Sequence, residues 1–481
     1  MEHVDVLIVG AGLSGIGAAY YIQKYCPQKS FAVLEGREAL GGTWDLFRYP
    51  GVRSDSDMYT LGYTFYPWKN PKAIADGESI LQYLHDTADA FNLKPKIHFK
   101  HRVCGMSWSS ETSLWTATIQ RGDDGETLQM TCQFVYFCMG YYNYEAGYTP
   151  EWEGVSQYKG RIVHPQQWDS ALDYAGKSVI VIGSGATAVT LVPALAQKAA
   201  HVTMLQRTPS YVVNLPSEDK LATWMQRHLP ATVAFTFTRW KLILLNMIFY
   251  VLSRKQPQFV KRQIMKGVRD GIGADYDVDK HFNPPYNPWD QRLCMIPDGD
   301  LFDSIKTGNA TVVTDAIQSF TEKGVSLSSG KELHADIIVT ATGLVMQLSK
   351  AGDIEVDGKV IPLSQTMSYK GTMMSDVPNM AFAFGYTNAS WTLKCELSSR
   401  YVCRLLNHMD KHGYRQATPR QNDPTIKPEP VVNFTSGYVQ RAMSDLPHQG
   451  SKSPWKLYQN YIFDLITMRY GNVDDGVMEF K

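Results

Sequence analysis

Two glycine-rich turns, each entered from an apolar strand and left by a helix, constrain this chain more than any other feature. The first follows Val4-Asp5-Val6-Leu7-Ile8-Val9 and reads Gly10-Ala11-Gly12-Leu13-Ser14-Gly15. A helix is expected over 16–25, ended near Pro27. A second strand over 31–34 then ends in Glu35. Gly10 permits the tight turn, Gly12 lets backbone approach a pyrophosphate, and Gly15 lets helix and strand pack closely. The helix start offers free N–H groups and a positive dipole end to an anion, and Glu35 can accept from ribose hydroxyls. One such turn alone is weak evidence. With its strand, helix and distant acid it reads as a dinucleotide-binding unit.

The same order recurs from Ser178. The strand Ser178-Val179-Ile180-Val181-Ile182 enters Gly183-Ser184-Gly185-Ala186-Thr187-Ala188, and a helix continues from Val189. Ala188 replaces the third glycine, which the close-packing position tolerates. The following strand, 201–205, ends in Gln206-Arg207-Thr208. An acid there would repel a 2′-phosphate, whereas Arg207 can pair with it, so this unit should prefer NADPH over NADH. Two dinucleotide units in one chain suit electron transfer from nicotinamide to flavin, with FAD at the first and NADPH at the second. The strand-to-turn stretch DIIVTATG over 336–343 suits a chain returning past a bound cofactor.

The fold class expected is α/β, with two Rossmann-like domains and a helical insertion. The FAD domain is discontinuous, over 1–148 and 345–481. The NADPH domain covers 149–212 and 290–344. Residues 213–289 show helical periodicity and no strand signal, and form the insertion. The 481 residues are enough for about three domains. Lys+Arg and Asp+Glu are 47 each, so binding of nucleic acid through bulk charge is disfavoured. The seven cysteines contain no Cys-x-x-Cys pair, which speaks against a disulfide scaffold, a zinc ribbon or a flavin-linked reductase and favours a reducing cytosol. The N-terminus shows no basic leader region. The proline-rich stretch 417–430 reads as a loop.

No apolar run reaches the ~18 residues of a spanning helix. The nearest is LILLNMIFYVL over 242–252. Around it, 239–269 holds eight Lys/Arg and no Asp/Glu. Such a stretch suits a buried helix with a solvated basic side, the favoured reading. The alternative is peripheral contact with an anionic membrane surface, which would make a cytoplasmic protein membrane-associated.

Two further motifs lie near and between the glycine turns. Gly41-Gly42-Thr43-Trp44, Tyr49-Pro50-Gly51 and Asp55 form the first. Its glycines let backbone pass a flat ring that Trp44 can cover, and Arg53 and Asp55 set opposite charges just beyond. The second is Tyr158-Lys159-Gly160-Arg161-Ile162-Val163-His164-Pro165-Gln166-Gln167-Trp168-Asp169. With the ATG turn at 341–343, these motifs resemble those of class B flavin monooxygenases of the Baeyer–Villiger type. The resemblance runs from residue 4 to about 475. The pattern F-x-G-x-x-x-H-x-x-x-W-[PD] is met except that Tyr158 replaces Phe, and [AG]-G-x-W-x4-[FY]-P-[GM]-x3-D is met in full.

The resemblance implies FAD and NADPH as cofactors, O2 as co-substrate, and conversion of ketones to esters or lactones through a C4a-peroxyflavin. Oxidation of thioethers or thioamides is implied as well. Alternatives are an N- or S-oxygenating flavin monooxygenase and a flavin NADPH reductase or oxidase. Arg292, in Asn287-Pro288-Trp289-Asp290-Gln291-Arg292-Leu293, resembles the catalytic arginine, and Asp55 the aspartate near the flavin. Gln291 stands where many relatives have a lysine that helps hold the 2′-phosphate. Gly160, His164 and Trp168 take the domain-coupling positions. Cofactor contact is expected from Gly10, Gly12, Ser14, Gly15, Glu35, Gly42, Thr43, Trp44, Asp45, Leu46, Arg53, Ser54, Asp55 and Val103 on the FAD side. On the NADPH side it is expected from Gly183, Ser184, Gly185, Ala186, Thr187, Ala188, Val189, Gln206, Arg207 and Thr208. No metal site is expected. There is no G-x-S-x-G and no H-E-x-x-H. The segment 386–393 and the helical insertion should shape the substrate pocket.

Overall fold

The computed structural model describes residues 2–348 and 350–481. Met1 and Ser349, which fall within the expected FAD-domain segments, lie outside them.

Two sheets organise the chain. In the first, Glu2–Val9 pairs in parallel with Phe31–Leu34 on one side and Glu126–Phe137 on the other. Phe31–Leu34 continues to Ile97–His98. The strand Glu126–Phe137 is long enough to serve two neighbours. Its first part pairs antiparallel with Leu114–Arg121, and its end pairs in parallel with Met380–Phe382. His101–Ser109 extends the sheet from Leu114–Arg121 and accepts Asp353–Val356. Strands from both ends of the chain therefore share one sheet. The helix Leu13–Tyr25 covers it and packs against Trp391–His412.

The second sheet is all parallel, in the order Ala310–Thr314, His201–Gln206, Ser178–Ile182, Ile337–Thr340, Arg161–Val163. Its central strands are continuous apolar runs because both faces are covered. Val179 and Val181 pack among residues of the helix Ala186–Leu195. Ile180 and Ile182 pack with Phe320, Val325 and Leu327 of a three-stranded antiparallel sheet.

The chain passes between the sheets twice, and the two passages run side by side. Asn143 N–H donates to the Val345 carbonyl at 2.8 Å, Gln347 N–H to Tyr141 at 2.9 Å, and Tyr148 N–H to Gly343 at 3.0 Å.

The excursion read as helical does carry four helices, Lys220–His228, Ala231–Lys255, Pro257–Ile272 and Val278–Phe282. It begins, however, with a strand, Val212–Leu215, paired in parallel with Cys294–Pro297. A four-residue strand with so distant a partner has no local signature. The 417–430 stretch is also corrected. Its ends are short strands, Ala417–Pro419 against Met478–Phe480 and Pro428–Pro430 against His448–Gly450.

The largest correction concerns Ala231–Lys255. This helix has 25 residues, and by length and composition is apolar enough to cross a membrane. Thr236, Thr238, Arg239 and Lys241 interrupt an apolar run but not a helix. Nor is it a buried helix with a solvated basic side. Only 22% of its most apolar window is buried. Arg239 is the buried charge. Its guanidinium bonds Glu396 at 2.8 Å and the carbonyls of Tyr59 and Gly62 at 2.8 and 2.6 Å. A buried charge so partnered is costly to unpair, about 3–5 kcal/mol for loss of one partner, so it fixes the helix to the body.

Candidate active site

Both glycine turns open onto one cleft of ≈ 1360 Å³. At the first, Gly10 has φ 103°, and a Cβ there would stand 2.7 Å from the Cys138 carbonyl oxygen. A Cβ on Gly15 would fall inside the van der Waals shell of the Gly10 carbonyl oxygen, so helix and strand touch backbone to backbone. The Gly41-Gly42 loop folds over the turn, with Gly41 N–H donating to Ala11 at 3.0 Å and Gly42 at φ 57°. Glu35 closes the far side. It accepts from the N–H of Ala11 at 2.7 Å and of Arg37 at 2.9 Å, and burial raises its pKa above the ordinary value.

At the second turn, Gly183 has φ 140° and its missing Cβ makes room for the Ala341 carbonyl oxygen. Ser184 Oγ donates to the Thr208 carbonyl at 2.9 Å. Gly185 and Ala186 are exposed, and nothing lies within 4 Å of a Cβ built on Gly185. Arg207 lines the cleft, exposed and in no ion pair among the described residues. Gln206 also lines it, but its amide donates to the His281 carbonyl and Thr314 Oγ1.

The helices Leu13–Tyr25 and Ala186–Leu195 start at Gly12 and Gly185, with no side-chain cap and no acid in the first turn. Their free N–H donors and positive dipole ends fit the pyrophosphates of two dinucleotides.

Arg292 lines the same cleft, and its Nη1 donates to Asp55 Oδ2 at 3.1 Å. About a third of each side chain is accessible. Burial works against the guanidinium's charge, but Tyr141, Asp55, Tyr438 and Tyr142 around it hold its pKa well above the ordinary value. Arg292 is therefore a permanent cation. Arg53 does not act with Asp55. It pairs with Asp300 while still lining the cleft.

Of the expected contact residues, Gly10, Gly12, Ser14, Glu35, Gly42, Thr43, Trp44, Arg53, Ser54, Asp55 and Val103 line the cleft, as do Gly183, Ser184, Gly185, Ala186, Thr187, Gln206, Arg207, Thr208 and Arg292. Five do not. Gly15 is packed under Gly10. Asp45 is turned toward Arg37 and Arg48. Leu46 ends the short helix Thr43–Leu46. Ala188 and Val189 point into the core behind the second turn.

Gly160, His164 and Trp168 also lie off the cleft. His164 rests on the paired passages between the sheets. Its Nε2 is 3.3 Å from the Gly343 carbonyl oxygen, and its ring occupies the space a side chain at Gly147 would need. Burial lowers its pKa below 6.5. Gln166 Nε2 adds a 2.7 Å bond to the Asn143 carbonyl. Gly160 packs against Tyr158 and Asp336, and Trp168 packs on the second core, edge to face with Tyr174.

Several cleft residues were not named individually from the sequence. Lys350 donates to the Met139 carbonyl at 2.9 Å and sits 4.2 Å from the Tyr144 ring centroid. Burial lowers its pKa to about 8, with Glu35 opposing. Trp391 donates to Ser14 Oγ at 2.8 Å and stacks on Tyr141 at 4.9 Å. Arg441 covers the Tyr148 ring at 3.4 Å. Each belongs to a segment remote from the glycine turns. The stretch 386–393 does reach the cleft, through Ala389 and Trp391.

Two dinucleotide-type turns that share one cleft with a fixed cation define an enzyme that brings two dinucleotides together. Residues 5–353 match the flavin-binding monooxygenase-like family, and the chain belongs to it. It is an NADPH-dependent flavin monooxygenase, with FAD and NADPH as cofactors. The chain is similar to FAD-containing monooxygenase EthA of Mycobacterium tuberculosis (strain ATCC 25618 / H37Rv), at 50% identity over 480 residues, covering 100% of this chain and 98% of that one. It is 47% identical over 483 residues to the probable FAD-binding monooxygenase AlmA of Acinetobacter baylyi, covering 100% and 96%. In fold it resembles OTEMO in complex with FAD and NADP, with a TM-score of 0.75, 21% identity and 99% of each chain covered. It also resembles cyclohexanone monooxygenase in an open crystal structure, with a TM-score of 0.77, 20% identity and 100% of each chain covered.

Proposed function

We propose that the enzyme inserts oxygen beside a carbonyl, a Baeyer–Villiger oxidation of ketones to esters or lactones, and oxidises thioethers or thioamides in the same cleft. The observation that carries this reading is the Arg292 guanidinium, held by Asp55 in the cleft that both turns line. Bound FAD, once reduced by NADPH, supplies the activation of O2. The chain's own residues do the rest. Glu35 takes the ribose of FAD and the start of Leu13–Tyr25 its pyrophosphate. Arg207 takes the 2′-phosphate of NADPH, with no lysine at 291 to assist. Arg292 keeps its proton at working pH and would stabilise the negative charge that develops on the ketone oxygen. Asp55 orients Arg292. His164 couples the two domains by tying together the two passages that join them.

We assign residues 1–148 and 345–481 to the FAD domain, 149–212 and 290–344 to the NADPH domain, and the helices of 213–289 to an insertion. The seven cysteines are all unpaired, which suits a cytoplasmic enzyme.

The test is product analysis of the purified holoenzyme with NADPH, O2 and a panel of ketones and thioethers. A ketone product heavier by one oxygen and identified as an ester supports the assignment. Sulfoxides or N-oxides alone would make it an S- or N-oxygenating enzyme, and peroxide release with every substrate a reductase or oxidase. Arg292→Ala should keep its FAD and its reduction by NADPH and lose ester formation by about 100-fold or more. Ester formation at the wild-type rate would remove Arg292 from the chemistry.

A further inference from the structure

The helix Ala231–Lys255 carries a stripe that nothing in the fold covers. Val233, Phe237, Trp240, Leu244, Ile248 and Val251 follow one another at helical spacing, all exposed, Ile248 at 63% and Phe237 at 57%. No charge interrupts them. Arg239 is turned inward to Glu396, and Lys241 pairs with Asp219. Neighbouring helices widen the face. Lys220–His228 packs against this helix and exposes Leu221 and Trp224. Tyr461–Arg469 meets it through Tyr461, whose ring lies 5.8 Å from Trp240, and exposes Phe463 and Ile466. A contiguous apolar face of this extent marks an interaction surface.

The charge around it selects the partner. The stripe runs on into Lys255. The next helix, Pro257–Ile272, turns Val260 and Ile264 to a core shared with Phe249 and Leu252. Its outer side presents Phe259, Arg262 and Lys266. Lys255, Arg262 and Lys266 are exposed and enter no ion pair among the described residues, whereas Arg254 and Arg269 pair with Asp290 and Asp279. From 231 to 269 there is no Asp or Glu. Two copies docked through this face would set these cations against a stretch, 231–269, that holds no carboxylate. A sheet of anionic lipid supplies both what the cations lack and an apolar layer for the stripe. The two tryptophans suit the lipid–water boundary. The bonds of Arg239 to Glu396, Tyr59 and Gly62 hold the helix along the protein surface, so it lies on the membrane and does not cross it.

We propose that the enzyme docks peripherally on an anionic lipid surface through the outward face of Ala231–Lys255, with Lys255, Arg262 and Lys266 contacting headgroups. This does not depend on which oxygenation the enzyme performs.

The test is flotation of the FAD-loaded protein with vesicles of phosphatidylcholine plus phosphatidylglycerol, and with phosphatidylcholine alone. The wild-type protein should float with the anionic vesicles. F237D/I248D should weaken this by about tenfold or more. K255E/R262E/K266E should weaken binding to anionic vesicles alone, with a matching loss of salt sensitivity. All side chains changed are exposed, so both variants should keep wild-type flavin content and NADPH oxidation. A wild-type protein that floats with neither vesicle overturns the proposal. If, in addition, F237D/I248D converts a soluble oligomer to monomer, the face belongs to a second copy of the chain. Equal binding to both vesicles would overturn the role of the three cations.

Discussion

The two glycine turns share a strand, a helix and a spacing, yet the fold closes around them differently. At the first, Ala11 and Ser14 are buried, the Gly41-Gly42 loop covers the turn, and both oxygens of Glu35 are held by backbone N–H groups. At the second, Gly185 and Ala186 face solvent, and the residue in the Glu35 position is the exposed Arg207. The first turn is the more covered of the two and the second the more open to solvent. That difference suits a flavin that stays with the protein and a nicotinamide that is replaced each cycle. One motif can therefore serve as a prosthetic-group site or a co-substrate site, and what surrounds it decides which.

The largest effects are expected at the third glycine of the first turn and at the strand end that follows the second. Gly15→Ala drives a methyl group into the Gly10 carbonyl oxygen. It should cost about 3 kcal/mol or more and yield protein without flavin or no soluble protein. Wild-type flavin absorbance in the purified variant would show the first turn to be less closed than its geometry implies. At the second turn, Arg207→Ala should raise KM for NADPH about 10- to 100-fold, the worth of one or two charge-assisted bonds, and leave KM for NADH alone. Equal changes with both cofactors would deny Arg207 its phosphate role.

A smaller effect is expected where the two halves join. The folded state resists protonating His164, because burial lowers its pKa below 6.5. The unfolded chain takes up that proton first, so stability falls as pH drops from about 6.5 to the lower folded value, and then no further. Burial lowers His281 and His408 in the same direction. His164→Gln should therefore flatten, not abolish, the loss of thermal stability over this window. An unchanged slope in melting temperature against pH would exclude the histidine from the effect. The smallest change is expected for Ala188→Gly. It should destabilise by about 0.5–1 kcal/mol through helix entropy without altering flavin content or either KM. If it emptied the flavin site, the two turns would be coupled more tightly than their separate packing shows.

The glycine turns were legible because their requirements are local. A positive φ, a missing Cβ and a strand-to-helix switch all fall within a few residues. Glu35 and Arg207 could be read for the same reason, each at the end of the strand that follows its turn. Arg292 and Asp55 were legible only through resemblance to a family, since nothing local joins residues that far apart in the chain. Lys350 and Arg441 had no signal at all, and Trp391 had one only as part of the stretch 386–393. Each reaches the cleft because the chain returns to the first sheet after the second is complete.

The sequence by itself determined two dinucleotide-binding units, their order, and the sign of charge each offers a ribose. Backbone sterics and the charge of single side chains fix these without reference to the rest of the chain. The tertiary structure alone decided which groups meet Arg292, that Arg53 belongs to Asp300, and that Val212–Leu215 is a strand. It also decided that Ala231–Lys255 turns its apolar side outward. Apolar residues reveal that a helix wants cover, but only the packing of distant segments determines which of its sides receives any.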